Sequence, residues 1–206
     1  MLDFDALVGP SSGSEGGVIV EAGDAEGSGP AGDASAEPDS PLDRDAAPDG
    51  DTHVGPNLVP DGTFDSVCPL GTFQGTVASD GTARRGAKSC RVCTLPATPD
   101  YFTAGSFASS GPAVGSTYHA EIWVRTAPGA ATPPGILLHL RTSNDAPFVQ
   151  IQKSMTSPRT IDATWQKIEI TLQPTIAAAR MDLFFGSDTA VGACFLVDDV
   201  WLERLP

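Results

Sequence analysis

From Asn57 to Pro206 the chain alternates short apolar runs with turn-forming residues, and helical periodicity is almost absent. The strand-like runs are FQGTV (73–77), SCRVCTL (89–95), YHAEIWVRT (118–126), GILLHLRT (135–142), FVQIQK (148–153), WQKIEITLQ (165–173), RMDLFFG (180–186) and CFLVDDVWLE (194–203). PGAATPPG, SNDAP, MTSPRT and SDTAVGA lie between them as loop material. Only TIAAARM (175–181) has a helix-friendly composition, and it leads directly into the strand-like MDLFFGS. About eight to ten strands without crossover helices imply an all-β antiparallel sandwich, read here as a two-sheet jelly roll.

Alternation gives each strand two faces. In YHAEIWVRT, Ala120, Ile122 and Val124 oppose His119, Glu121, Trp123 and Arg125. In GILLHLRT, Ile136, Leu138 and Leu140 oppose Leu137, His139 and Arg141, and in FVQIQK, Val149 and Ile151 oppose Phe148, Gln150 and Gln152. If these strands are neighbours, their second faces form one patch of His, Glu, Trp, Arg and Gln; the plainer alternative is a solvated sheet face.

FLVDDVWLERLP (195–206) poses a separate question. If Leu196, Val200 and Leu202 face the core, Asp198 faces it with them and Asp199 faces away. A buried carboxylate needs a cation, a set of hydrogen bonds or a metal to offset its desolvation.

Charge divides the chain. Residues 1–56 hold thirteen acidic residues against one basic, Arg44, and so carry twelve of the fourteen net negative charges. Rich in Gly, Pro, Ser and Ala, this segment is expected to be a disordered, self-repelling linker; apolar patches at 2–8 (LDFDALV) and 18–20 (VIV) are the exceptions. The globular domain is expected over 57–206. The acidic balance and dispersed arginines argue against nucleic acid. No apolar run is long enough to span a membrane, and no signal peptide is visible at the start. Cys68, Cys90, Cys93 and Cys194 all fall in the globular part, which suggests two disulfides and an oxidising compartment. The stalk-like linker suggests a secreted or surface-tethered protein, with an export signal and a lipid-anchoring cysteine upstream.

NLVPDGTFD (57–65), RRGAKSCRV (84–92), STYHAEIWVRT (116–126), TWQKIEITLQ (164–173) and FLVDDVWLE (195–203) resemble, in order and spacing, the markers of carbohydrate-binding modules of families four, nine and twenty-two. Those modules are galactose-binding-like jelly rolls. The resemblance covers essentially all of 57–206 and implies a structural calcium. Its side-chain ligands would be Asp65 and Asp198, and its carbonyl ligands would come from around Gly62 or Thr63 and Lys88. Hard oxygens of this kind suit Ca²⁺. The alternative for Asp198 is hydrogen bonding to backbone N–H groups, or pairing with Lys88 or Arg91. Asp199 is expected to be exposed or to cap a loop.

Cys90 stands at an apolar position of the family pattern. Alternation puts Cys90 and Cys194 on the core side and Cys93 on the other, so the preferred pairing of three is Cys90–Cys194 with Cys68–Cys93. CRVC also has a zinc-ligand spacing, but no second CxxC accompanies it. SCRVCTL reads as a strand, whereas a redox CxxC opens a helix.

The resemblance implies a noncatalytic, monomeric module that binds a polysaccharide or other glycan. Its site is expected at His119, Glu121, Trp123, Arg125, His139, Arg141, Gln150 and Gln152, or on a loop rim with Tyr101, Phe102, Phe107, Asn144 and Phe148. A structural or protein-interaction jelly roll without a glycan site is the alternative, favoured by the small number of tyrosines and tryptophans. A glycoside hydrolase would need two carboxylates across a cleft, and Glu121 is the only acid assigned to the polar face, with Glu169 of uncertain facing. No GxSxG, HExxH, P-loop or dinucleotide motif is present.

Overall fold

The computed structural model describes residues 51–72, 75–94, 105–130, 135–145, 147–187 and 193–206. His53–Pro206 form one compact unit. Its described residues form nine strands: β1 (Gly75–Asp80), β2 (Ser89–Thr94), β3 (Gly105–Ser110), β4 (Tyr118–Thr126), β5 (Ile136–Asp145), β6 (Phe148–Met155), β7 (Gln166–Leu172), β8 (Arg180–Ser187) and β9 (Cys194–Arg204). They make two antiparallel sheets, one ordered β1-β2-β9-β4-β7 and the other β3-β8-β5-β6. This is the expected jelly-roll sandwich, with no helix among the described residues. TIAAARM supplies no helix: residues 175–179 are loop, and Arg180 and Met181 open β8.

The apolar faces meet between the sheets. Ala120, Ile122 and Val124 of β4 and Ile136, Leu138 and Leu140 of β5 are fully buried, as alternation required. Phe185 of β8 and Phe195 of β9 pack edge to face across the sandwich, with centroids 6.4 Å apart. β6 departs from the pattern. It pairs with β5 alone, and an extra residue at Ile151 shifts its register between Thr142↔Gln152 and Ser143↔Gln150. Val149, expected inside, pairs with Asn144 near the end of this edge strand and is 45 % exposed.

The same device in β9 has larger effects. Glu121 of β4 pairs with Trp201 and Trp123 pairs with Asp198, so two residues of β9, 199 and 200, oppose Ile122 alone. Asp199 takes up the extra residue with a left-handed φ of 45°. Alternation therefore flips at this bulge. Before it Phe195 and Val197 face the core; after it Val200 and Leu202 do. The expectation that Leu196 and Asp198 share the core face with Val200 and Leu202 assumed an unbroken strand, and is corrected here. Both are buried but stand outside the core cluster, on the other face of the sheet.

A bulge leaves backbone groups without ladder partners, and β2 pairs with β9 only as far as Val197. The segment before β1 supplies the missing partners. Val200 N–H donates to the Gly62 carbonyl (2.8 Å), and Leu58 N–H to the Leu202 carbonyl (2.7 Å). Asn57 bridges both directions: its Nδ2 donates to the Val200 carbonyl (2.8 Å), and its Oδ1 accepts from Leu202 N–H and Val59 N–H (3.0 Å each). A Cβ on Gly62 would lie 2.1 Å from the Val200 carbonyl oxygen, so only glycine fits. The Asn and Gly of NLVPDGTFD are thereby explained as partners of the last strand.

Two disulfides form, but with a pairing other than the expected one: Cys68–Cys90 and Cys93–Cys194. The β2–β9 register places Cys93 directly opposite Cys194, with Cα atoms 4.1 Å apart, while Cys90 faces Val197. Cys194 precedes the bulge and lies on the outer face with Cys93. Cys90, on the core side, is reached by Cys68 from the loop beneath.

Gly62→Ala should destabilise the unit by roughly 1–3 kcal/mol in denaturant unfolding, because the new methyl meets backbone. Gly71→Ala, where a Cβ meets nothing within 4 Å, should change little by comparison.

Candidate functional site

The eight residues expected to share one face lie on two. β4 belongs to the five-stranded sheet and β5 and β6 to the four-stranded one. Alternation assigns a face within a strand but does not say which strands are neighbours. His119, Glu121, Trp123 and Arg125 thus look outward from one sheet, and His139, Arg141 and Gln150 from the other. The bulge at Ile151 separates Gln152 from Gln150, and the Gln152 amide instead holds the loop after β7 through the Gln173 carbonyl (2.9 Å) and Thr175 N–H (3.0 Å).

On the five-stranded sheet the aromatic faces are occupied by the chain itself. The Arg84 guanidinium sits 3.6 Å from the centre of the Trp123 ring and pairs with Asp199. His53 stacks on Trp201 at 3.9 Å with the rings 14° apart. Val54 and Gly55 follow His53 and donate their N–H groups to the Glu203 carboxylate (2.9 and 2.7 Å). Burial alone would raise the pKa of Glu203, but these N–H groups, together with the Trp201 side chain and the His53 charge, hold the carboxyl below its usual range. The compact unit accordingly starts at His53, ahead of the expected boundary at 57.

Glu121 is not the only acid of this face. Strand pairing sets Glu169 of β7 opposite Glu121 and Glu203 of β9 opposite His119. Glu121 is buried, with Lys167 Nζ 3.3 Å from one oxygen and His53 Nε2 3.4 Å from the other. Parity alone turns Glu203 outward, but it does not say that β9 lies beside β4, so Glu203 was not grouped with this face. Arg125 stands apart, 5.8 Å from the Trp165 ring.

The outer face of the four-stranded sheet is organised around Asp182, which is buried. Its oxygens lie 3.0 Å from Arg141 Nε and 3.0 Å from Arg180 Nε, and Ser143 Oγ donates to it at 3.1 Å. Two guanidiniums are thus held in fixed orientation across β5 and β8. Half-buried Phe148 and Phe184 flank them: Arg141 is 5.0 and 4.8 Å from these ring centres, and Arg180 is 5.8 Å from Phe148. Gln150 is exposed beside them. His139 stacks on Phe184 at 4.4 Å. Burial, and after it the charges of Lys153 and Arg141, lower its pKa to about 4, so it is neutral at physiological pH. Arg180, Asp182 and Phe184 were not anticipated. They sit in RMDLFFG at alternate positions, and that alternation was the available signal.

Of the loop-rim residues, Tyr101, Phe102 and the Phe107 side chain lie outside the described residues. Asn144 Oδ1 accepts from Ala179 N–H (3.0 Å), which ties a loop to β5.

The expected calcium ligands meet around the turn 84–87. Asp198 Oδ2 accepts from Arg84 N–H (2.7 Å) and Arg85 N–H (3.4 Å), and Oδ1 from Asp199 N–H (2.9 Å). Asp65 Oδ1 accepts from Ala87 N–H (2.7 Å) on the same turn. The Gly62 carbonyl takes Val200 N–H, and Thr63 and Lys88 are exposed. Calcium requires six to eight oxygens, whereas here N–H groups aim at both carboxylates. Burial, and further the Asp199 charge, raise the Asp198 pKa to about 6 against the pull of its N–H donors. Asp199 is engaged by Arg84 rather than free to cap a loop.

No family model matches the chain, and no curated protein matches it by sequence. Similarity appears among solved structures. The xylan-binding domain CBM22-1 of Paenibacillus barcinonensis Xyn10C aligns with a TM-score of 0.57 at 11 % identity, over 73 % of this chain and 95 % of that one. A family 61 module, TmCBM61, solved with β-1,4-galactotriose, aligns at 0.51 and 16 %, over 73 % and 99 %. The enzymatically active domain of bacteriophage CBA120 tailspike protein 4 aligns at 0.57 and 13 %, over 72 % of this chain but only 21 % of that one. The fold is therefore that of carbohydrate-binding jelly-roll modules. No described helix is long and apolar enough to cross a membrane.

His139 gives this face an acid signature. Its folded pKa of about 4 lies below the ordinary 6.5, so only the unfolded chain takes up the proton between these values. Stability should fall as pH drops from about 6.5 to about 4, by on the order of 2 kcal/mol. His139→Gln should flatten that slope in unfolding titrations across the same range.

Proposed function

We propose that this domain is a noncatalytic carbohydrate-binding module that takes a polysaccharide on the outer face of the four-stranded sheet, in a secreted or surface-tethered protein. The carrying observation is the contrast between the two outer faces. Trp123 and Trp201 are covered by Arg84 and His53. On the other sheet, the Asp182-braced guanidiniums of Arg141 and Arg180 stand beside Phe148 and the exposed Gln150. Aromatic rings that meet the C–H faces of pyranoses, with fixed donors for the hydroxyls, are what sugar recognition needs. A xylan-binding domain and a galactotriose-binding module among the similar folds support the ligand class. The two disulfides fit an oxidising compartment.

Affinity electrophoresis in gels containing xylan or β-1,4-galactan should show retardation of the protein. Phe148→Ala and Arg141→Ala should each weaken it about tenfold, while Arg125→Ala on the opposite sheet should not. Absence of retardation in any polysaccharide gel would favour a structural or protein-interaction jelly roll.

We propose further that backbone N–H groups, not calcium, hold Asp198 and Asp65 to the turn 84–87. Calcium added to metal-free protein should leave the melting temperature unchanged. A saturable rise abolished by Asp198→Asn would show that the ion binds there.

A further inference from the structure

The outer face of the five-stranded sheet holds a cluster that glycan binding does not use. His119 and Glu121 lie two apart on β4, so their side chains share that face, and Glu169 stands opposite Glu121 on β7. One ligand atom from each of the three lies within 4.8 Å of the others. Their order of exposure suits an open site: Glu121 is buried, His119 is half-buried and Glu169 is exposed.

We propose that His119, Glu121 and Glu169 form a binding site for a zinc-type divalent transition ion. The imidazole selects against calcium and magnesium, which prefer oxygen alone, and in favour of ions that accept mixed N and O ligands. His119 Nε2 lies 3.7 Å from Glu169 Oε2, near the roughly 3.3 Å between ligands that Zn–N and Zn–O bonds of about 2 Å give in a tetrahedron. The remaining closure falls to the exposed Glu169 arm. The other nitrogen, Nδ1, faces Glu203 Oε1 at 3.7 Å, and Glu203 is itself fixed by the Val54 and Gly55 N–H groups. A carboxylate behind a ligating histidine sets its ring orientation and strengthens it as a donor. His53 Nε2, 3.4 Å from Glu121 Oε1, braces the buried carboxylate in the same way. Three protein ligands leave a fourth position open to solvent.

The cation position has an occupant in the absence of metal. Lys167 Nζ lies 3.3 Å from Glu121 Oε2 and 3.4 Å from Glu169 Oε2, between the two carboxylates. Zinc therefore has to displace this ammonium, and the lysine is a built-in competitor that lowers the affinity.

The test is a titration of the full chain, stripped of metal, with zinc against a chromophoric chelator. Circular dichroism on each variant verifies the fold. One zinc per chain is expected. Glu169→Gln, an exposed change that leaves the core untouched, and His119→Ala should each weaken binding about tenfold or more. Lys167→Met should instead tighten it, a response that zinc bound elsewhere would not show. Stoichiometry well below one in both the parent chain and Lys167→Met, or an affinity indifferent to all three substitutions, would overturn the assignment.

Discussion

The bulge at Asp199 is the constraint on which the rest of this structure depends. β9 runs through the middle of the five-stranded sheet, between β2 and β4, and one extra residue in it reverses the sense of every side chain that follows. Before the bulge the outer face receives Cys194, Leu196 and Asp198. After it the same face receives Trp201 and Glu203, while Val200 and Leu202 enter the core. The backbone groups left over are met by Asn57 and Gly62, so the segment before β1 behaves as an additional partner for the last strand. A left-handed aspartate costs of order 1 kcal/mol, offset here by its pairing with Arg84 and by the buried hydrogen bonds around it.

A division of labour between the two sheets follows. Because Trp201 and Glu203 emerge beside β4, they capture His53, Val54 and Gly55, and that strap covers the Trp201 ring and engages the Glu203 carboxylate. Arg84 does the same for Trp123, with its backbone on Asp198 and its guanidinium on Asp199. The two adjacent aspartates thus both engage one arginine, which explains how a strand can carry them side by side. The four-stranded sheet has no such strap among the described residues. Its polar groups are arranged by a buried carboxylate between two guanidiniums, an arrangement that fixes donors in place without covering them.

Much of the fold was legible in the sequence, because its strands alternate cleanly. YHAEIWVRT became β4 with its apolar residues in the core, and eight of the nine strands lie on runs visible in the chain. β3 escaped notice because GSFASS is mostly small and polar; its pairing with β8 carries it instead of intrinsic strand preference. The site was less legible, for two physical reasons. A bulge has no signature in composition, so parity failed at Asp199 and Ile151, and the disulfide partners and Gln152 were misplaced. Sheet membership is a long-range property, so residues on β4 and β5 with the same pattern came to face opposite sides of the molecule.

Amide chemical-shift mapping on the isotopically labelled protein, titrated with fragments of xylan and of β-1,4-galactan, tests this division of labour most directly. The perturbed amides should fall on β5, β6 and β8 around Arg141, Phe148, Arg180 and Phe184, with β4 and β9 unmoved. Perturbations centred on Trp123, Trp201 and Glu121 would mean that the strap and Arg84 yield to ligand, and would contradict it.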